Sequence, residues 1–172
     1  EGVVDFAELL LRSVELLQRN ESLRQHYQQR FGYVLVDEFQ DTNRLQYQWL
    51  KLLSGQNTAV FAVGDDDQSI YAFRGENVGN MRDFEREFKV SHLIRLEQNY
   101  RSQGHILTAA NALIAHNPER LGKNLWTDAG QGERLRVFVA TQDSEEAGYI
   151  VDEEKHLHRE GMALYDMAVL YR

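Results

Sequence analysis

The chain of 172 residues has no cysteine, a single proline (Pro118) and no apolar run near the ~20 residues that cross a membrane. Without cysteine there are no disulfides and no thiolate metal sites, and the six histidines are scattered, with His156 and His158 too close in sequence to share a helix face. Zinc chemistry therefore has no support. Excess positive charge is also missing: 27 acidic against 19 basic residues give a net charge of −8. A domain that binds nucleic acid by bulk electrostatics carries a basic face, so any nucleic-acid contact here must be local. Finally, no G-x-x-x-x-G-K-[ST] phosphate loop occurs; the one Gly-Lys pair, Gly122-Lys123, precedes Asn124 and has Asn117 where the first glycine belongs.

What remains is an ordinary globular composition, 42% hydrophobic, long enough to bury roughly 70% of the unfolded surface. No secretory signal opens the chain, and the expectation is a soluble, intracellular protein without a membrane partner. The first residue is Glu1, and the apolar run Met167–Tyr171 reads as a strand with nothing after it, so a piece of a longer protein is expected.

Eleven residues, Tyr33 to Asn43, organise the rest. Tyr33-Val34-Leu35-Val36 reads as a short buried strand that ends in two adjacent carboxylates, Asp37 and Glu38. In an open parallel sheet, ligands sit beyond the carboxyl ends of the strands, so this pair should face a crevice. In phosphoryl-transfer sites such a pair divides the work. The first carboxylate serves Mg2+, and the second orients and deprotonates the attacking water. A solvated acidic turn would read the same way from this stretch alone.

Along the chain, helices are expected from about Asp5 to Gln18, with Asp5 and Glu8 as a capping box, and from Glu21 to Gln29. Thr42 should cap a third helix with Leu45, Trp49, Leu52 and Leu53 on one stripe and Trp49 in the core. Thr58 to Val63 reads as a second strand, a helix with Met81, Phe84 and Phe88 follows, and His92 to Leu96 reads as a third strand. A helix from Gln103 to Ala115, a strand from Leu135 to Ala140, a helix from Ser144 to His158 and the last strand complete an α/β alternation with a largely parallel sheet.

Polar groups crowd two further strand ends. In Gly64–Gly75, Gln68 can reach a terminal phosphate or the attacking water, while Tyr71 and Phe73, beside Arg74, can stack unpaired bases at about 1–3 kcal/mol per base. Both rings would equally suit a core. The contiguous Asp65-Asp66-Asp67 lacks the alternating ligands and the glycine of a calcium loop. With Gln68 and Ser69 it also fits the D-x-D-x-S/T outline of haloacid-dehalogenase-type phosphotransferases, a reading that leaves Asp37, Glu38 and Arg101 unused. After the third strand, Tyr100 can stack on a purine and Arg101 can reach a γ-phosphate, where an arginine can contribute about 10³–10⁵ in rate.

Taken together and in order, these stretches resemble the UvrD/Rep/PcrA group of superfamily 1 DNA helicases. Val36–Asn43 resembles motif II, Val63–Gly75 motif III and Leu96–Ser102 motif IV; the similarity extends to Val4–Leu10 and to Gly122–Thr127. The resemblance implies a RecA-like P-loop NTPase core. Residues 1–99 would be the later part of domain 1A, and residues 100–172 the motif IV end and the beginning of a second RecA-like lobe, domain 2A. It implies ATP and Mg2+ as cofactors, with Asp37 serving the metal, Glu38 the hydrolytic base, Gln68 the γ-phosphate sensor, Tyr100 the adenine stack and Arg101 the arginine finger. Tyr71 and Phe73 would meet single-stranded DNA, with Arg74 linking that contact to the nucleotide, although the family usually has tryptophan where Phe73 stands. The implied activity is ATP-dependent 3′ to 5′ movement on single-stranded DNA and at single-strand/duplex junctions, in the bacterial cytoplasm at the nucleoid, alongside repair proteins. In the family the phosphate loop lies upstream and motifs V and VI lie downstream, so this stretch alone is not a competent motor. A binding module that holds single-stranded DNA or a protein partner without hydrolysis is the non-enzymatic alternative.

Overall fold

A computed structural model describes residues 3–69, 79–118, 120 and 122–171. Asp5 caps α1 (Phe6–Arg19), its side chain accepting from the Glu8 amide at 2.7 Å, and Asn20 both ends α1 and caps α2 (Glu21–Arg30). Strand β1 (Tyr33–Val36) leads through a 3-10 turn, Phe39–Asp41, to α3 (Arg44–Leu53) and then to β2 (Ala59–Ala62). The cap of α3 is Asn43 rather than Thr42. The Asn43 side chain accepts from the Gln46 amide at 2.9 Å, and the Gln46 side chain accepts from the Asn43 amide at 2.8 Å. That reciprocal box satisfies two helix-end donors, which the Thr42 hydroxyl, donating to the Phe39 carbonyl, cannot do.

The two strands pair in parallel, Tyr33 opposite Ala59 through Val36 opposite Ala62, with α3 as the crossover. Side chains alternate across a strand, so Val34, Val36, Val60 and Ala62 turn to one face and Tyr33, Leu35 and Phe61 to the other. The first face packs on Phe39, Tyr47, Leu50 and Phe84, with Met81, Phe88 and Val90 around them. Phe39 is the centre of this core at 1% exposure, with the Phe84 ring 5.1 Å away and the Tyr47 ring 6.1 Å away. The second face stands open, with Tyr33 80% exposed. Trp49, expected in the core, is 38% exposed, because Tyr47 and Leu50 take the inward side of α3.

Helix α4 (Gly79–Glu87) closes this core and is tied to α3 by Glu87, which accepts from the Tyr47 hydroxyl and pairs with Lys51, both at 2.9 Å. Burial and the neighbouring Glu87 carboxylate both push the Tyr47 hydroxyl pKa up. Asn80, also buried, donates to the Thr42 carbonyl at 2.9 Å and joins α4 to the turn after β1.

The second half contains α5 (Gly104–Ile114) and α6 (Asp143–Arg159). Its expected strands do not form. Among the described residues, His92–Leu96, Leu135–Ala140 and Met167–Tyr171 belong to no strand, and the only extra pairing is an isolated parallel bridge between Gln98 and Trp126. Their apolar, β-branched residues favour extended backbone, but a strand also needs a hydrogen-bonded neighbouring strand, and none of the described segments pairs with them in that way. Val137, Val139 and Leu170 are accordingly exposed. On α5, Leu107 is the buried residue, whereas Ile106 and Leu113 face outward.

Phe39→Ala should lower the unfolding free energy by about 3–5 kcal/mol, because a ring surrounded by other side chains leaves a cavity. Phe6→Ala, at a residue 92% exposed, should change it by less than about 0.5 kcal/mol. Urea denaturation of the two variants measures the contrast.

Candidate functional site

The parallel ladder runs past the ends of both strands and sets their polar residues side by side. The Val63 amide donates to the Val36 carbonyl at 2.8 Å, and the Phe39 amide donates back to the Val63 carbonyl at 2.9 Å. Asp37 and Glu38 on one strand end thus lie next to Gly64 and Asp65 on the other. Glu38 turns the chain with φ 47° and ψ 45°, in the left-handed region that a residue with a side chain seldom adopts. Such conformations cost about 1–3 kcal/mol and concentrate at functional sites. The Glu38 amide is held by Asp37 Oδ1 at 3.0 Å.

Gln40 is the link between the two strand ends. It is 3% exposed; its Nε2 donates to Glu38 Oε2 at 2.7 Å, and its Oε1 accepts from the Asp65 amide at 2.9 Å. Gly64 is required for this approach, since a Cβ there would come within 2.9 Å of Gln40 Oε1 and 3.2 Å of both the Gln40 amide nitrogen and Phe39 Cβ. Both carboxylates of the expected pair are exposed, as a strand-end crevice demands. Among the described residues Asp37 Oδ2 and Glu38 Oε1 have no hydrogen-bond partner, while Gln40 orients the Glu38 carboxylate. Hard carboxylate oxygens of this kind suit Mg2+.

Beyond β2, Asp65 caps a 3-10 turn, Asp66–Gln68. Asp65 Oδ1 accepts from the Asp67 amide at 3.1 Å and pairs with the Lys123 ammonium, while Oδ2 accepts from Gln68 Nε2 at 2.7 Å. Arg120 grips Asp67 with two hydrogen bonds of 3.0 and 2.7 Å and also donates to the Lys123 carbonyl at 2.8 Å. Burial pushes the Asp65 carboxyl up, but the hydrogen bonds from Lys123 and Gln68 outweigh it and hold the group below the usual carboxylate range. An aspartate so fully engaged is poorly suited to act as a nucleophile, which counts against the phosphotransferase reading.

Tyr100 is 84% exposed and donates to Gln98 Oε1 at 2.8 Å. Arg101 is exposed too; Asn99 Oδ1 receives the amides of Arg101 and Ser102 at 2.9 and 2.7 Å. That segment is anchored to Trp126, whose amide donates to the Glu97 carbonyl and whose carbonyl accepts from the Asn99 amide. Among the described residues, no hydrogen bond or ion pair joins Tyr100 or Arg101 to Asp37, Glu38 or Gln68. The structure therefore brings together Asp37, Glu38 and the Asp65–Gln68 turn, with no direct bond from them to Tyr100 or Arg101 among the described residues. Tyr71, Phe73 and Arg74 lie outside the described residues.

Sequence reasoning missed Gln40, Arg120 and Lys123. Gln40 could have been found, because it follows the core residue Phe39 just after β1, and a glutamine drawn into such a place needs partners. Arg120 and Lys123 act across more than fifty residues, and nothing local signals that.

Residues 1–89 match the UvrD/REP helicase N-terminal domain and residues 94–172 the UvrD-like helicase C-terminal domain, and the chain belongs to this family of RecA-like superfamily 1 helicases. DNA helicase II of Escherichia coli is 52% identical over 171 residues, 99% of this chain and 24% of that protein, and DNA helicase II of Haemophilus influenzae is 50% identical over 171 residues, 99% and 23%. The ATP-dependent DNA helicase PcrA of Leuconostoc citreum is 44% identical over 170 residues, 98% and 23%. The chain thus spans about a quarter of the length of these relatives. No described helix is long and apolar enough to cross a membrane.

Gln40→Leu should cost about 1–3 kcal/mol, since it strands the part-buried Asp65 amide and removes a donor from Glu38; urea denaturation reads the loss. Lys123→Met should lower stability by at least about 1 kcal/mol at pH 7, since it removes the partner of a carboxylate in a mostly shielded ion pair. Because the folded Asp65 pKa is depressed, this stabilisation is full above the unfolded value of about 3.9 and disappears as pH falls through the lower folded value. The gap between Lys123→Met and the unaltered protein should close as urea titrations move from pH 7 to pH 3.

Proposed function

We propose that this chain is a segment of an ATP-dependent DNA helicase, in which it supplies the hydrolytic end of the nucleotide site. The observation that carries this reading is Gln40, which holds the Glu38 carboxylate beside the acidic turn that bears Gln68. Glu38 accepts a proton from the attacking water on its free Oε1, and its hydrogen bond from Gln40 keeps that oxygen aimed out of the turn. Asp37 is the residue for the Mg2+ that accompanies ATP, and the ion neutralises phosphate charge when it is bound. Gln68, whose carbonyl oxygen and second amide hydrogen remain available, faces the terminal phosphate. Tyr100 stacks on adenine, and Arg101 reaches the γ-phosphate as an arginine finger.

Among the described residues no hydrogen bond or ion pair joins Arg101 to the strand ends, and its engagement is assigned to a closing motion about the Tyr100–Gln103 segment. We take residues 1–99 as the later part of the first RecA-like lobe and residues 100–172 as the start of the second. Single-stranded DNA binds at Tyr71 and Phe73, with Arg74 linking the two sites, and the cycle moves the protein 3′ to 5′ toward duplex junctions in the bacterial cytoplasm. The uncovered face of Tyr33, Leu35 and Phe61 supports a larger whole, because parallel sheets are covered on both faces.

In the full-length helicase that contains this segment, Glu38→Gln should reduce DNA-stimulated ATP hydrolysis by about 10²-fold or more while ATP still binds, because the amide can accept from Gln40 but cannot take a proton from water. Steady-state hydrolysis with and without single-stranded DNA, together with nucleotide binding, tests this. Undiminished turnover in Glu38→Gln would rule out the assignment and favour a binding module.

A further inference from the structure

Gln68 does not stand alone. Its amide is tied to Asp65 Oδ2 at 2.7 Å, and Asp65 is anchored through its other oxygen by Lys123, which lies in the segment that matches the C-terminal helicase domain. Lys123 is itself fixed: its carbonyl accepts from Arg120, and Arg120 forks onto Asp67, whose amide closes the loop on Asp65. Both pairs are mostly shielded, with side-chain exposures of 14% and 12% for Arg120 and Asp67 and 17% and 23% for Lys123 and Asp65. A cavity of about 280 Å3 opens beside them, lined by Gln68, Asp65 and Lys123 on one side and by Asn111, Ile114 and Leu125 on the other. There is thus room for the Gln68 amide to swing if its tether loosens.

We propose that Lys123 is a positioning residue for hydrolysis, acting through Asp65 to hold the Gln68 amide in its working orientation. The proposal rests on the reading of Gln68 as the residue facing the terminal phosphate. An amide has two donors and one acceptor on a freely turning end. With Asp65 fixed, one donor is committed and the direction of the other two groups is set; with Asp65 released, the amide rotates into the cavity. The chemistry in the first helicase segment then depends on a side chain of the second, so separating the segments would disorient the sensor. A misplacement of about 1 Å can cost up to about 10²-fold in rate, so a loosened Gln68 should be visible in turnover.

The test is a mutant cycle in the full-length helicase, measuring kcat and KM for ATP at saturating single-stranded DNA. Lys123→Met should lower kcat by about tenfold with KM changed by less than about twofold, and Lys123→Arg should restore most of the rate by supplying the charge again. In a Gln68→Ala background, Lys123→Met should have no further effect, because the group it positions is gone. A merely structural lysine would give losses that multiply, and that result overturns the proposal. Gln68→Ala that slows turnover while Lys123→Met does not would overturn this inference alone; Gln68→Ala without effect would remove the reading on which it rests. If Lys123→Met fails to fold, Asp65→Asn, which keeps the side chain's size and weakens the anchor, enters the same cycle with the same criteria.

Discussion

A buried glutamine holds the two strand ends at a fixed distance. Gln40 donates to Glu38 and accepts from the Asp65 amide, so one side chain joins the carboxylates that follow β1 to the acidic turn that follows β2. The rest of the arrangement is subordinate to it. Gly64 carries no side chain because Gln40 passes there, Glu38 adopts a left-handed turn because the chain must bend at once into Phe39–Asp41, and Phe39 packs beneath to hold that turn on the core. A buried amide left unpaired would cost about 1–3 kcal/mol, so the sequence can keep Gln40 only while both strand ends stay in place.

The second part of the chain reaches this arrangement through charge. Arg120 and Lys123 close on Asp67 and Asp65, while Asn111 brackets Leu125 from α5 with two backbone contacts and so fixes the loop from which these cations extend. The motif IV segment is held on the same loop by Trp126. One short stretch, residues 122–126, therefore touches the acidic turn, α5 and the segment carrying Tyr100 and Arg101. In the proposed cycle that makes it the place where lobe movement and the phosphate sensor meet.

The helices and the two central strands were legible because their signals are local: the Asp5 cap, the apolar run Tyr33–Val36 closed by carboxylates, and the helical spacing of α3. The Thr42 cap failed because Asn43 has Gln46 three residues on to complete a reciprocal box, whereas Thr42 has Leu45 there. The outer strands failed for a different reason. His92–Leu96 and Leu135–Ala140 have strand composition, but pairing is a property of two segments, and their composition says nothing about whether a neighbour is present. Within the site, the carboxylates and Gln68 were visible as polar residues at strand ends, whereas the network of Gln40, Arg120 and Lys123 depends on contacts between residues as many as 58 positions apart.

The central claim is that the two strand ends act as one hydrolytic unit. It is tested most directly by combining Glu38→Gln with Gln68→Ala in the full-length helicase and measuring single-turnover ATP hydrolysis for both single variants and the double variant. Residues that serve one transition state are strongly non-additive, so the double variant should be no slower than the slower single variant. Losses that multiply would mean that Glu38 and Gln68 act on separate steps, and the strand ends would then not form one site.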